Sequence, residues 1–268
     1  MRMCIAVCWV IDVKLDCAQT SDFMRGLSLF LGHQLDSMTG DFRDGSVTCL
    51  IATTRTRLLE HCESYGWTAA HLPGIKPTSC VVIRKPNMQP ELWVRSRYRG
   101  YRKAFRLFLS EWGGIGDDGI PHNLQVDHLH PASRFTPKND HYFVRLALIE
   151  RGVNASYGAG FERLLYERER ERALSGGVHM DWMAYLKVRG IRLPAKTAGK
   201  AVWKAWSWQC AKSLGPEGFD PVFTYVGLTT MLNLAFLNIW RPLPPDDAFR
   251  PEVEAHPSYP CAPQLAEV

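Results

Sequence analysis

None of the eight cysteines forms a C-x-x-C pair, no segment repeats, and no apolar run is long enough to span a bilayer. The first absence excludes a zinc ribbon and a thioredoxin-like centre, and the second excludes solenoids and propellers. The apolar run at residues 4–11 is short, is stopped by Asp12 and lacks a small-x-small cleavage site, so it is expected to be a buried first strand. The stretch 227–240 contains Asn233 and Asn238 and is too short to cross a membrane. The cysteines lie mostly in apolar surroundings, as in Val47-Thr48-Cys49-Leu50-Ile51, where a thiol behaves as a small hydrophobe. A reducing, cytoplasmic compartment is expected, with no membrane association.

What is present is an ordinary globular composition, 46% hydrophobic and 22% charged over 268 residues, enough for a large buried core. The net charge of +5 is unevenly placed. Residues 242–268 carry Asp246, Asp247, Glu252, Glu254 and Glu267 against Arg250 alone, a net of −4, which leaves +9 on residues 1–241. A basic body suits a polyanionic partner such as nucleic acid. The acidic tail also holds seven of the 17 prolines and is expected to be extended.

Hydrophobic periodicity divides the chain into four parts. Residues 1–88 alternate β-like runs (4–11, 47–53, 80–84) with helical patterns (20–34, 55–65), a small α+β unit. Residues 89–178 open with a helical pattern over 91–112, broken by the glycines at 113, 114, 116 and 119. Strands near 123–129 and 142–149 follow, then a glycine-bearing turn and a helix from about 159 to 174. Residues 179–241 are mostly helical, with breaks at Leu193-Pro194, Gly215-Pro216 and Asp220-Pro221, and 242–268 form the tail.

The chemistry-bearing stretch is Asn123-Leu124-Gln125-Val126-Asp127-His128-Leu129-His130-Pro131. It sets a carboxylate beside an imidazole where a strand ends. Downstream, a second strand leads to Gly152-Val153-Asn154 and then Gly158-Ala159-Gly160-Phe161-Glu162-Arg163. That order brings Asp127, His128, Asn154 and Glu162 to one hairpin–helix junction. A neutral imidazole at His128 suits the removal of a proton from water near pH 7. Asp127 and Glu162 are hard oxygen donors suited to a divalent cation. Arg145 and Arg163 flank the junction as phosphate clamps.

Residues 120–175 resemble the ββα-metal nucleases, including their His-Asn-His branch. The Asp-His pair followed by proline is similar to that branch's first strand, and the Asn154-to-Glu162 spacing is similar to the non-specific branch. No third His follows Asn154 before His179, and Glu162 stands in its place. The resemblance implies a central ββα-metal hairpin–helix module in an α+β fold, and a metal-dependent endonuclease active on nucleic acid, DNA ahead of RNA. It further implies catalytic roles for His128 and Asn154. The metal, Mg²⁺ first and Mn²⁺ second, would be held by Asp127, Glu162 and Asn154, with Asn154 either ligating it or holding the His128 tautomer. The superfamily also serves as secreted effectors. The alternative is a non-catalytic nucleic-acid-binding or phage or plasmid accessory protein on the same scaffold.

Around this motif, Arg95, Arg97, Arg99, Arg102, Lys103 and Arg106 form a basic stretch interleaved with Tyr98 and Tyr101, expected on one helix and suited to phosphates. Lys196, Lys200, Lys204 and Lys212 form a second stripe, while Trp203, Trp206 and Trp208 are assigned to packing. His130 and His141 are placed at the surface or behind the site, with His141 the reserve base because it too follows an Asp.

Overall fold

The computed structural model describes residues 22–43, 50–115, 120–131, 134–135, 140–162, 178–195 and 197–232. Expectations for the first strand, the tail, the helix beyond Glu162, Arg163 and Lys196 fall outside these residues. The fold is a mixed α+β arrangement, a curled antiparallel sheet with several helices. Its strands are β1 (Leu50–Thr54), β2 (Thr68–Ala70), β3 (Cys80–Arg84), β4 (Glu91–Arg95), β5 (Leu124–His128), β6 (Tyr142–Glu150) and β7 (Val178–His179). The order β2-β3-β4-β6-β1-β7 runs across the sheet, and β5 pairs with β6.

Strand β6 organises the whole. Its first half pairs with β4 (Val94 opposite Val144) and β1 (Ala52 opposite Val144), and its second half pairs with β5 from Leu124 opposite Glu150 to His128 opposite Leu146. Eight of its nine residues are buried, as befits a strand covered on both faces. The expected boundary at residue 88 runs between β3 and β4, neighbouring strands of this one sheet.

The helices are α1 (Asp22–Arg43), α2 (Arg55–Ser64), α3 (Tyr101–Trp112), α4 (Arg151–Ser156), α5 (Trp182–Val188), α6 (Lys200–Leu214) and α7 (Pro221–Leu232). A π-helical turn, Tyr157–Glu162, continues α4. The Asp220-Pro221 break is a helix start, where the Asp220 carboxylate accepts from the Val222 and Phe223 N–H groups.

Two expectations change. Residues 91–95 form a strand, because Glu91-Leu92-Trp93-Val94 is buried between β3 and β6 and a doubly covered strand loses the alternation that marks it. The basic residues therefore divide: Arg95 ends β4, Arg97 and Arg99 lie in the turn, and only Arg102, Lys103 and Arg106 ride on α3. The chain also turns helical directly after β6, eight residues before the expected start, so Asn154 lies within α4 rather than in a loop.

One face of the hairpin (Leu124, Val126, Leu146, Leu148) packs on α3 and the first half of α1 through Phe105, Phe108 and Phe30. The other face (Leu129, Ala147, Ile149) packs on Val153, Tyr157 and the buried residues of α5. α1 crosses between these cores, and Gln34 does a strand's work there. Its side-chain N–H donates to the Leu148 carbonyl (3.1 Å) and its oxygen accepts from the Leu148 N–H (2.8 Å). Gln34→Ala leaves both backbone groups buried without partners, an expected loss of about 1–3 kcal/mol read from the urea midpoint at unchanged slope. A wild-type midpoint would contradict this role.

Candidate functional site

Alternation along β5 decides which side chains meet. Asp127 lies opposite Ala147 on the α4–α5 face, while His128 lies opposite Leu146 on the α3 face. Asp127 and Glu162 are brought together, since both bond to the same partner, the ammonium of Lys187 on α5, at 2.6 Å each. Helix α5 starts with Asp181, whose carboxylate accepts from the Ala184 N–H, and residues Met183 to Lys187 are buried without a break. Lys187 is 2% exposed and the Tyr157 ring lies 6.0 Å from its nitrogen.

Burial alone pulls Lys187 down, but the two carboxylates outweigh it and leave the ammonium above its usual range. Burial raises Glu162, against the opposing pull of Lys187 and the positive charge of Arg134. Two carboxylates thus share one ammonium, and the charge of Arg134 also acts on Glu162.

His128 is buried against Tyr101, with ring centroids 4.4 Å apart, and among the described residues its Nε2 has no hydrogen-bond partner. Burial pushes its pKa down to about 4; Asp127 pulls upward, while Lys187 and Arg102 add to the depression. The imidazole is therefore neutral at pH 7. Asn154 is half-buried on α4, whose Val153 packs on the hairpin face opposite the one that carries His128. The four expected residues do not share one cleft.

Other residues are also placed differently from the expectation. Arg145 is not a phosphate clamp: it is buried, and its guanidinium pairs with Asp41 at 2.7 Å and Glu91 at 2.9 Å. Lys85 joins the same two carboxylates and Trp93 donates to Glu91, so the group is a closed ionic quartet. Of the two placements expected for His130, burial excludes the surface: it is 1% exposed against Phe135, its Nε2 has no hydrogen-bond partner among the described residues, and its pKa is pushed down to about 3 by burial and Arg134. His141 is exposed, and its Asp140 is paired with Arg95 at 2.8 Å. Arg97, Arg99, Arg102, Lys103 and Arg106 are all exposed.

The donor set does not fit a resident divalent ion. Among the described residues no three His, Cys, Asp or Glu side chains gather around one point. The two carboxylates that do meet already share an ammonium. Lys187 and Arg134 were missed in the sequence, although a lysine inside the apolar run Met183-Ala184-Tyr185-Leu186-Lys187-Val188 signals a buried, paired charge.

Comparison with family models, curated proteins and solved structures returns no match. Among the described residues no helix is long and apolar enough to cross a membrane.

The buried histidines make a pH expectation. Both fold with pKa values below the ordinary 6.5, so the unfolded chain takes up protons first. The stability they permit is complete above pH 6.5 and is lost as the pH falls through about 4 for His128 and about 3 for His130. Denaturant titrations should show stability declining over this window, with a shallower decline in His128→Asn/His130→Asn. An identical decline in that variant would contradict the assignment.

Proposed function

We propose that the protein is a nuclease that hydrolyses phosphodiester bonds of nucleic acid, DNA ahead of RNA, with His128 as the base. One observation carries this reading. A neutral imidazole, whose Nε2 has no hydrogen-bond partner among the described residues, packs at a tilt against Tyr101, at the head of a helix that exposes Arg102, Lys103 and Arg106, with Arg97 and Arg99 just before it. Such a surface attracts a polyanion to a group able to accept a proton.

In this reading the substrate displaces the half-buried Tyr101 ring, and the Arg102 guanidinium neutralises a phosphate oxygen. A water oxygen forms a bond to phosphorus, its proton passes to His128 Nε2, and the ester P–O bond breaks. The leaving oxygen takes a proton from solvent. Asp127, whose charge favours the protonated imidazole, steadies the imidazolium that forms. Asn154 is assigned no step here, because its helix α4 packs through Val153 on the hairpin face away from His128.

The placement of His128 and Asp127 on opposite faces favours a second reading, a non-catalytic nucleic-acid-binding protein on the same scaffold. Cleavage and binding assays on plasmid DNA and RNA separate the two. Under the nuclease reading, His128→Ala lowers the cleavage rate by about 10²–10⁴-fold with affinity unchanged. Replacing Arg97, Arg99 and Arg102 by Ala lowers affinity, and the slope of log K against log salt drops by about 0.9 for each duplex phosphate that is no longer neutralised. Tight binding without cleavage would replace the first reading with the second. Failure of the wild-type protein to bind either nucleic acid would overturn both.

A further inference from the structure

The geometry points to Lys187 as a built-in substitute for a metal ion: its ammonium occupies the cation position between Asp127 and Glu162, and the wild-type protein takes no divalent ion there. This rests on the proposed hydrolytic reading only in calling the position part of a functional site. The occupancy claim stands on its own geometry.

The nitrogen lies 2.6 Å from Asp127 Oδ2 and 2.6 Å from Glu162 Oε1, the outer limit of the distances at which a hard cation such as Ca²⁺ is held by carboxylate oxygens. The three side chains come from three different elements, β5, the turn after α4, and α5, so their meeting is a product of tertiary packing rather than of neighbouring sequence. Lys187 cannot withdraw easily. It is 2% exposed, and the residues before it on α5 are buried on every side.

The charges also close without an ion. Asp127 and Glu162 face Lys187 directly, and the positive charge of Arg134 acts on Glu162 as well. Adding a divalent cation to the two carboxylates and Lys187 would leave excess positive charge in a partly desolvated space that Arg134 already makes more positive, a cost when no anion accompanies it. An ammonium differs from Mg²⁺ in what it provides. It orients two carboxylates and supplies a fixed positive charge, but it leaves no open coordination position for a substrate oxygen.

Mn²⁺ titration of the full chain, followed by loss of the free-ion electron paramagnetic resonance signal, tests this. Wild-type protein should take up no more Mn²⁺ than Asp127→Asn/Glu162→Gln, and any cleavage it performs should survive EDTA. Lys187→Ala should gain one Mn²⁺ per chain, with a melting temperature that rises with Mn²⁺, and this gain should vanish in Lys187→Ala/Glu162→Gln. If Lys187→Ala is unfolded without an ion, refolding on Mn²⁺ addition gives the same supporting result. Stoichiometric Mn²⁺ uptake by the wild-type protein that Glu162→Gln abolishes would overturn the inference. Lack of cleavage under every condition counts against the nuclease reading and has no bearing on the Mn²⁺ titration.

Discussion

Lys187 joins three parts of the chain that are far apart in sequence. Through Asp127 it holds the end of β5, through Glu162 the turn that leaves α4, and through its own buried helix the core shared with α1. Taking such a charge out of water costs several kcal/mol, so the position is tenable only because two carboxylates meet it with good geometry. The same contacts fix which groups face each other. With Asp127 turned toward α5, strand alternation sends His128 to the α3 side, next to Tyr101 and the basic residues. The electrostatics of the imidazole follow from this division, since Asp127, Lys187 and Arg102 all act on it from around the strand.

A second ionic group applies the same principle to the other half of the sheet. Asp41 from the end of α1, Lys85 after β3, Glu91 at the start of β4 and Arg145 on β6 compensate one another in a buried quartet. Coulombic stabilisation from Arg145 and Lys85 keeps the Glu91 carboxyl below its ordinary range despite burial. Ser37 adds a hydroxyl to this group, and Gln34, one turn earlier on α1, caps the Leu148 backbone. Helix α1 thus reads the sheet through polar contacts that only one register satisfies, and apolar packing from Leu27, Phe30 and Met38 supplies the bulk of the burial.

Much of this organisation is legible in the sequence where local pattern and final environment agree. The strands at 80–84 and 142–150, the helix at 55–64 and the hairpin built on Leu124 to His128 follow directly from apolar runs and turn residues. Residues 91–95 mislead because burial on both faces removes alternation, and Glu91 is polar in the sequence but neutralised by the quartet in the fold. The glycines at 152, 158 and 160 suggest a turn, yet packing of Val153, Tyr157 and Phe161 against the hairpin carries the helix through them. Asp127 and Glu162 are foreseeable as partners from their order along the chain. Their third partner is not, because nothing near residue 187 in sequence belongs to the hairpin. Arg145 and Lys187 share one overlooked signal: each is a single cation inside an apolar run, and each is buried and paired.

The measurement that bears most directly on this account is the unfolding free energy of a charge-deletion series at Lys187, Asp127 and Glu162. Lys187→Met alone leaves two half-buried carboxylates together without their cation and should cost up to about 3–5 kcal/mol. Lys187→Met/Asp127→Asn/Glu162→Gln removes all three charges at once, and it should recover most of that loss, since the penalty belongs to the unpaired charges rather than to the side chains. A Lys187→Met protein within about 0.5 kcal/mol of wild type, or losses that simply add across the three positions, would show that the ammonium does not hold the hairpin to α5 and would remove the basis of the account.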